Sequence, residues 1–139
     1  MAAIRIVDHD SLPWTRPVSG QSGGSEEVAD PNERGGSRRP HLGENGELYL
    51  HESKTPPNHE VAAHVHKVDE IIYVIEGELH LGARVLGPGS SVYIPADTLY
   101  GFKAGPNGLR FLNFRGSGNR AHVLKEDFLA ERERAKAGA

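Results

Sequence analysis

His64-Val65-His66-Lys67-Val68-Asp69-Glu70-Ile71-Ile72-Tyr73-Val74-Ile75-Glu76-Gly77 is the stretch that decides how the rest of this 139-residue chain is read. On a strand, side chains at even offsets share a face, so His64 and His66 point the same way and Glu70 has the same parity. A straight strand rising about 3.3 Å per residue would carry Glu70 roughly 20 Å past His64, whereas the ligands of one metal ion sit about 2 Å from it. The three meet only if the chain turns between His66 and Glu70, and Lys67-Val68-Asp69 supplies that turn. The run Ile71-Ile72-Tyr73-Val74-Ile75 then returns as a buried strand and brings Glu70 opposite the histidines. Two imidazoles and a carboxylate form a facial set that leaves positions on a divalent metal for water, oxygen or substrate.

On either side of this stretch, short apolar runs alternate with turn signals, the pattern of an antiparallel sandwich or barrel. Strands are expected at 47–52, 60–66, 70–76, 78–82, 90–95, 98–103 and 109–115. Between them fall Pro56-Pro57-Asn58, Glu76-Gly77, Gly87-Pro88-Gly89, Pro95-Ala96-Asp97 and Gly105-Pro106-Asn107-Gly108. Residues 1–46 read as an irregular N-terminal arm that wraps the body or stays mobile: Ser19 to Gly24 and Arg34 to Pro40 carry no hydrophobic period. Residues 47–115 form the barrel, and 116–139 a tail ending in a helix over Lys125 to Ala137, its acidic residues early and its basic ones late. Leu124, Phe128 and Leu129 give that helix one narrow apolar side.

Composition narrows the function. With 16 Lys+Arg against 19 Asp+Glu the formal charge is −3, and no basic stripe interleaved with aromatics marks a nucleic-acid surface. The absence of cysteine excludes disulfides, thiolate metal sites, iron–sulfur clusters and cysteine nucleophiles. The longest apolar run, Ile71 to Ile75, is far too short to span a bilayer, and the first ten residues hold Arg5 and Asp8 where a signal peptide would be apolar. No membrane association and a cytoplasmic location are expected. Eight histidines are present, four of them between His51 and His66.

His64-x-His66-x3-Glu70-x6-Gly77 resembles the first signature of the cupins in full spacing, with Asn58 at the pattern's usual leading Gly. Gly89-x5-Pro95 resembles the opening of the second. The resemblance covers about residues 47–115 and implies an all-β fold: a double-stranded β-helix, or jelly roll, with its site inside the barrel. It implies one divalent ion per chain (Fe, Mn, Zn or Ni) on His64, His66 and Glu70, a small-molecule ligand or substrate, and a homodimer. The second signature departs from the pattern at Asp97 and Tyr100, which stand where the family usually has Gly and the last metal-ligating His. Tyr100 either lines the site as a ligand or general acid–base catalyst, or is a barrel-mouth aromatic; His51 or His59 could replace the missing imidazole.

Other motifs carry less. His59-Glu60-Val61-Ala62-Ala63-His64 has one residue too many between its histidines for a zinc-protease helix, and Gly87-Pro88-Gly89-Ser90-Ser91 lacks the Lys of a phosphate loop. Phe102 and Phe111 read as core or pocket lining, Tyr73 and Tyr93 as structural, and His9, His41, His80 and His122 as surface residues. The leading function is a metal-dependent enzyme acting on a small polar molecule, by dioxygenase chemistry or by lyase or isomerase chemistry in which Tyr100 moves a proton. The alternative is a non-catalytic small-ligand-binding module whose metal is structural or absent.

Overall fold

The alternation beginning at Glu70 sets the barrel wall: Glu70, Ile72 and Val74 are buried, while Ile71 and Tyr73 are exposed. The run expected to be buried is thus a half-buried strand, because one of its faces looks outward. The computed structural model describes residues 3–17, 25–27, 36–43, 47–116 and 122–137. In chain order these form a short 3-10 turn His9–Ser11, β1 Thr15–Pro17, β2 Ser25–Glu27, β3 Ser37–Pro40, β4 Tyr49–Thr55 and β5 Glu60–His66. β6 Glu70–Leu81, β7 Arg84–Leu86, β8 Ser91–Ile94, β9 Tyr100–Arg115, β10 His122–Leu124 and α1 Lys125–Ala137 follow. Every strand pairing among the described residues is antiparallel, and the fold is the all-β jelly-roll barrel with a short C-terminal helix.

β9 is the spine. Its C-terminal half lies between β4 and β6, and its N-terminal half pairs with β5 and the end of β6. The runs 70–76 and 78–82, expected as two strands, are one strand passing through Gly77; likewise 98–103 and 109–115 are joined in β9. The turn read at Gly105 to Gly108 survives as a bulge: the pairing steps from Gly77↔Leu109 to Leu79↔Ala104, leaving four residues of β9 without β6 partners. Gly77 sits at φ 74°, and a Cβ on it would lie 2.0 Å from the Gly108 carbonyl oxygen. Only glycine permits both that backbone and that approach. Inside the barrel, Ile72, Val74, Leu79, Ile94, Phe102, Ala104, Leu109 and Phe111 form the core.

The N-terminal segment adds strands to the sheet. β3 pairs along β4 from Ser37↔Lys54 to Pro40↔His51, and β1 joins β3 and β2. The Ser19 to Gly24 and Arg34 to Gly35 stretches lie outside the described residues, as do the side chains of Leu124 and Phe128. Under this segment Glu52, 2% exposed, is held by Arg110 Nε at 2.5 Å, His9 Nε2 at 3.4 Å, His41 Nε2 at 3.5 Å and Arg39 Nη1 at 4.0 Å. His41, read as a surface residue, is instead partly buried against this carboxylate, and His9, exposed as expected, reaches it from the surface; no short-range pattern connects either to it. At the other edge β10 pairs with β5, and Lys67 Nζ reaches Asp97 at 3.1 Å and Glu131 of α1 at 3.2 Å.

Two outcomes follow. Gly77→Ala should lower stability by more than about 2 kcal/mol, measured by chemical denaturation, because either the left-handed backbone or the contact with Gly108 must give way. Burial alone would raise the Glu52 pKa, but the Arg110 hydrogen bond, the Arg110 and Arg39 charges and His41 together hold it below its ordinary 4.5. The stability this contributes is complete above pH 4.5 and is lost as pH falls through the depressed value. Arg110→Met should therefore cost about 2 kcal/mol at neutral pH and flatten the acid limb of a stability-against-pH curve.

Candidate functional site

β5 ends with His64 and His66 on one face, as their parity requires, and the ring centroids are 4.8 Å apart. The chain then reverses through Lys67-Val68-Asp69. Asp69 accepts hydrogen bonds from the Tyr93 hydroxyl and, at 2.8 Å, from the Ala96 backbone N–H, while the Asp97 N–H donates to the His66 carbonyl at 2.9 Å. These contacts tie the turn to the segment after β8. Glu70 opens β6 at the floor of the barrel, 1% exposed.

Four groups surround the Glu70 carboxylate. The Tyr100 hydroxyl donates to Oε1, Asn113 Nδ2 donates to Oε2 at 2.8 Å, Arg115 Nε approaches Oε2 at 3.3 Å, and His66 Nε2 lies 3.9 Å from Oε2. β9 supplies three of the four: Arg115 is the cross-strand partner of Glu70, Asn113 that of Ile72, and Tyr100 that of His64. The Tyr100 ring packs 4.7 Å from His64. Burial, then the negative charge of Glu70 and its hydrogen bond, push the Tyr100 pKa well above the ordinary 10.0, against a smaller opposing effect of Arg115. Tyr100 is a proton holder at neutral pH.

Hydrogen bonds orient both histidines. The Ala62 carbonyl only accepts, so His64 Nδ1, 2.9 Å away, carries a proton. Arg115 Nη2 lies 3.4 Å from His66 Nε2 and can only donate to it. The two Nε2 atoms face each other across 3.1 Å, within hydrogen-bond distance. That is about the separation of two nitrogens held some 2.1 Å from one ion at neighbouring coordination positions. The pair fits a divalent metal in its donor chemistry. Glu70 would have to turn toward it, since no three His, Cys, Asp or Glu side chains among the described residues are already gathered into a metal-holding group.

The site opens on a cavity of about 360 Å³, within the size range of small-molecule pockets. His51, His64, His66, Tyr100, Asn113 and Arg115 line it with polar groups, and Val61, Ile72, Phe102 and Phe111 with apolar ones. His51 is buried on β4 in register with Asn113 and lines this cavity; His59 does not line it. Phe102 and Phe111 are core and lining at once. His80 sits elsewhere, 3.3 Å from Glu78, and the His122 side chain lies outside the described residues. The sequence reading missed Asn113 and Arg115. Their signal was parity, because Phe111, assigned inside, carries positions 113 and 115 inward with it.

Residues 51–113 match the family model for the Cupin domain. No curated protein matches the chain. Among solved structures, an RmlC-like cupin from Shewanella frigidimarina superposes with TM-score 0.63 and 22% identity, covering 85% of this chain and 94% of that one. The polyketide cyclase RemF from Streptomyces resistomycificus gives 0.64 and 22%, covering 94% of both chains. A Bacillus subtilis oxalate decarboxylase gives 0.59 and 24%, covering 77% of this chain and 33% of its own. These likenesses are of fold.

Absorbance titration of the phenols tests the Tyr100 environment. Tyr100 is expected to stay un-ionised through the ordinary phenol range, and Glu70→Gln to lower its pKa by removing the adjacent negative charge, while burial, the larger cause, still holds it up. An unshifted titration in Glu70→Gln would separate the two groups.

Proposed function

From the match of residues 51–113 to the Cupin domain and the jelly-roll fold, we propose that the chain is a metal-dependent cupin enzyme acting on a small polar molecule by proton-transfer chemistry of the lyase or isomerase kind. The observation that carries this is the placement of the Tyr100 hydroxyl on Glu70 beside two histidines whose Nε2 atoms converge. His64, His66 and Glu70 would hold one divalent ion, Fe, Mn, Zn or Ni, which supplies Lewis-acid polarisation of a substrate oxygen or, with vacant positions, dioxygen chemistry.

The chain's own groups divide the remaining work. Tyr100, protonated and lining the cavity with its hydroxyl on Glu70, is the group placed to pass a proton to a developing negative charge there. Asn113 fixes the orientation of Glu70, and Arg115 sets a positive charge beside it. Ile72, Phe102 and Phe111 line the same cavity with apolar surface, which lowers the polarity around the reacting region. Solved structures of the same fold include a polyketide cyclase and an oxalate decarboxylase, which supports an enzymatic use of the barrel. The contrary reading, a small-ligand-binding module without catalysis, draws on Glu70 being turned to Arg115.

The second copy expected of the family has a surface to occupy. Tyr93, Ile71 and Phe114 are cross-strand neighbours on β8, β6 and β9, and all three are exposed on the outer face of the sheet. Such a contiguous apolar row supports a homodimer. No described helix is long and apolar enough to cross a membrane.

Elemental analysis of untagged protein after metal reconstitution tests the proposal. One divalent ion per chain is expected in the wild type and in His80→Ala, and a loss of at least tenfold in retention in His64→Ala and Glu70→Ala. Tyr100→Phe should keep the metal while lowering turnover by on the order of 10²-fold or more. Metal retained in His64→Ala would remove the foundation of the enzymatic reading and leave the binding module.

A further inference from the structure

Arg115 stands against the atoms that a metal would need. It is 4% exposed, Nε lies 3.3 Å from Glu70 Oε2, and Nη2 lies 3.4 Å from His66 Nε2. Its third nitrogen, Nη1, is buried with no hydrogen-bond partner among the described residues, although Arg115 lines the cavity. The guanidinium lies over the Tyr49 ring, 5.8 Å from its centroid, which offers Nη1 no hydrogen-bond acceptor, and a carboxylate is the group whose paired oxygens match the fork.

Charge balance points the same way. Glu70 and Arg115 cancel each other, so a divalent ion arriving on His64, His66 and Glu70 leaves this buried region at about +2, an excess that the low-dielectric interior penalises heavily. An anion entering with the metal removes much of it. The rest of the cavity says what the anion carries, because Val61, Ile72, Phe102 and Phe111 face it with apolar surface, and the two phenylalanine rings meet edge to face at 5.6 Å.

We propose that Arg115 is the carboxylate-recognition residue of the cavity, that the ligand class is a small carboxylate with a flat apolar body, and that metal and carboxylate bind with positive cooperativity. The carboxylate pairs with Arg115 and relieves the repulsion between guanidinium and metal; each then strengthens the other by the same factor. The cooperativity rests on the metal site proposed above, and the experiment separates the two.

The test is calorimetric titration of chelator-stripped, untagged protein with Zn²⁺, alone and with saturating benzoate or, as the uncharged isostere, benzamide. Benzoate is expected to tighten zinc binding at least tenfold and benzamide to leave it within about twofold. Arg115→Gln is expected to abolish the benzoate effect yet bind zinc alone at least as tightly as wild type, since a cation has left the vicinity of His66. A merely structural role for Arg115 would weaken zinc instead. Should Arg115→Gln fail to fold, the benzoate–benzamide contrast in the wild type decides the matter, and Arg115→Lys, which keeps the charge and loses the fork, should retain less than a third of the coupling. Zinc bound in a His64-dependent manner but indifferent to benzoate overturns this proposal alone. Zinc bound equally by wild type and His64→Ala, or by neither, overturns the metal site and this proposal with it.

Discussion

A carboxylate moved out of water must be met by donors and counter-charge, and Glu70 sets that demand at the bottom of this barrel. Tyr100, Asn113 and Arg115 answer it, all from β9, and His66 lies close by from β5. Because an incompletely satisfied buried carboxylate would cost several kcal/mol, register between β6 and β9 is not free to slip. A shift of one residue would turn Asn113 and Arg115 outward and leave Glu70 alone among Ile72 and its apolar neighbours. The charge network and the strand register therefore specify each other.

The same two strands share the sharp bend of the barrel. Gly77 of β6 and Gly108 of β9 approach so closely that neither a side chain nor a different backbone fits, and the pairing resumes beyond them with a changed offset. On one side of this joint lie the residues around Glu70; on the other lie Leu79, Ala104 and Phe102, which fill the core. The joint lets one long strand serve two ends of a barrel, which is why pairs of runs that read separately in the sequence are continuous in the fold.

Much of this was legible from residue order. Alternation and turn residues are local, so β5, the start of β6 and α1 are found at the positions their sequences indicate. The spacing from His64 to Gly77 likewise led to the cupin fold. What escaped was non-local. The arm residues before Gly43 show no hydrophobic period because β3 joins the edge of β4 through backbone pairing, and because its neighbours answer the charge of Glu52. Arg115 carries no motif; it becomes part of the site only because antiparallel register sets it opposite Glu70. The cupin spacing located the histidines, whereas the orientation of Glu70 toward Arg115 depends on a charge far away in sequence.

β3 has one more consequence. Ser37 and Arg38 line the cavity, yet they lie outside residues 51–113, the part that carries the family's domain. The wall of the pocket is thus assembled from two stretches under different constraints. The inner one is pinned by Gly77, by Glu70 and by strand register, and tolerates little change. The outer one, β3, lies between β4 and the short β1, and its side chains can vary while its backbone pairing with β4 persists. Divergence of ligand preference can accumulate in the segment before the barrel without disturbing the chemistry within it, so two chains alike across the barrel need not share a substrate.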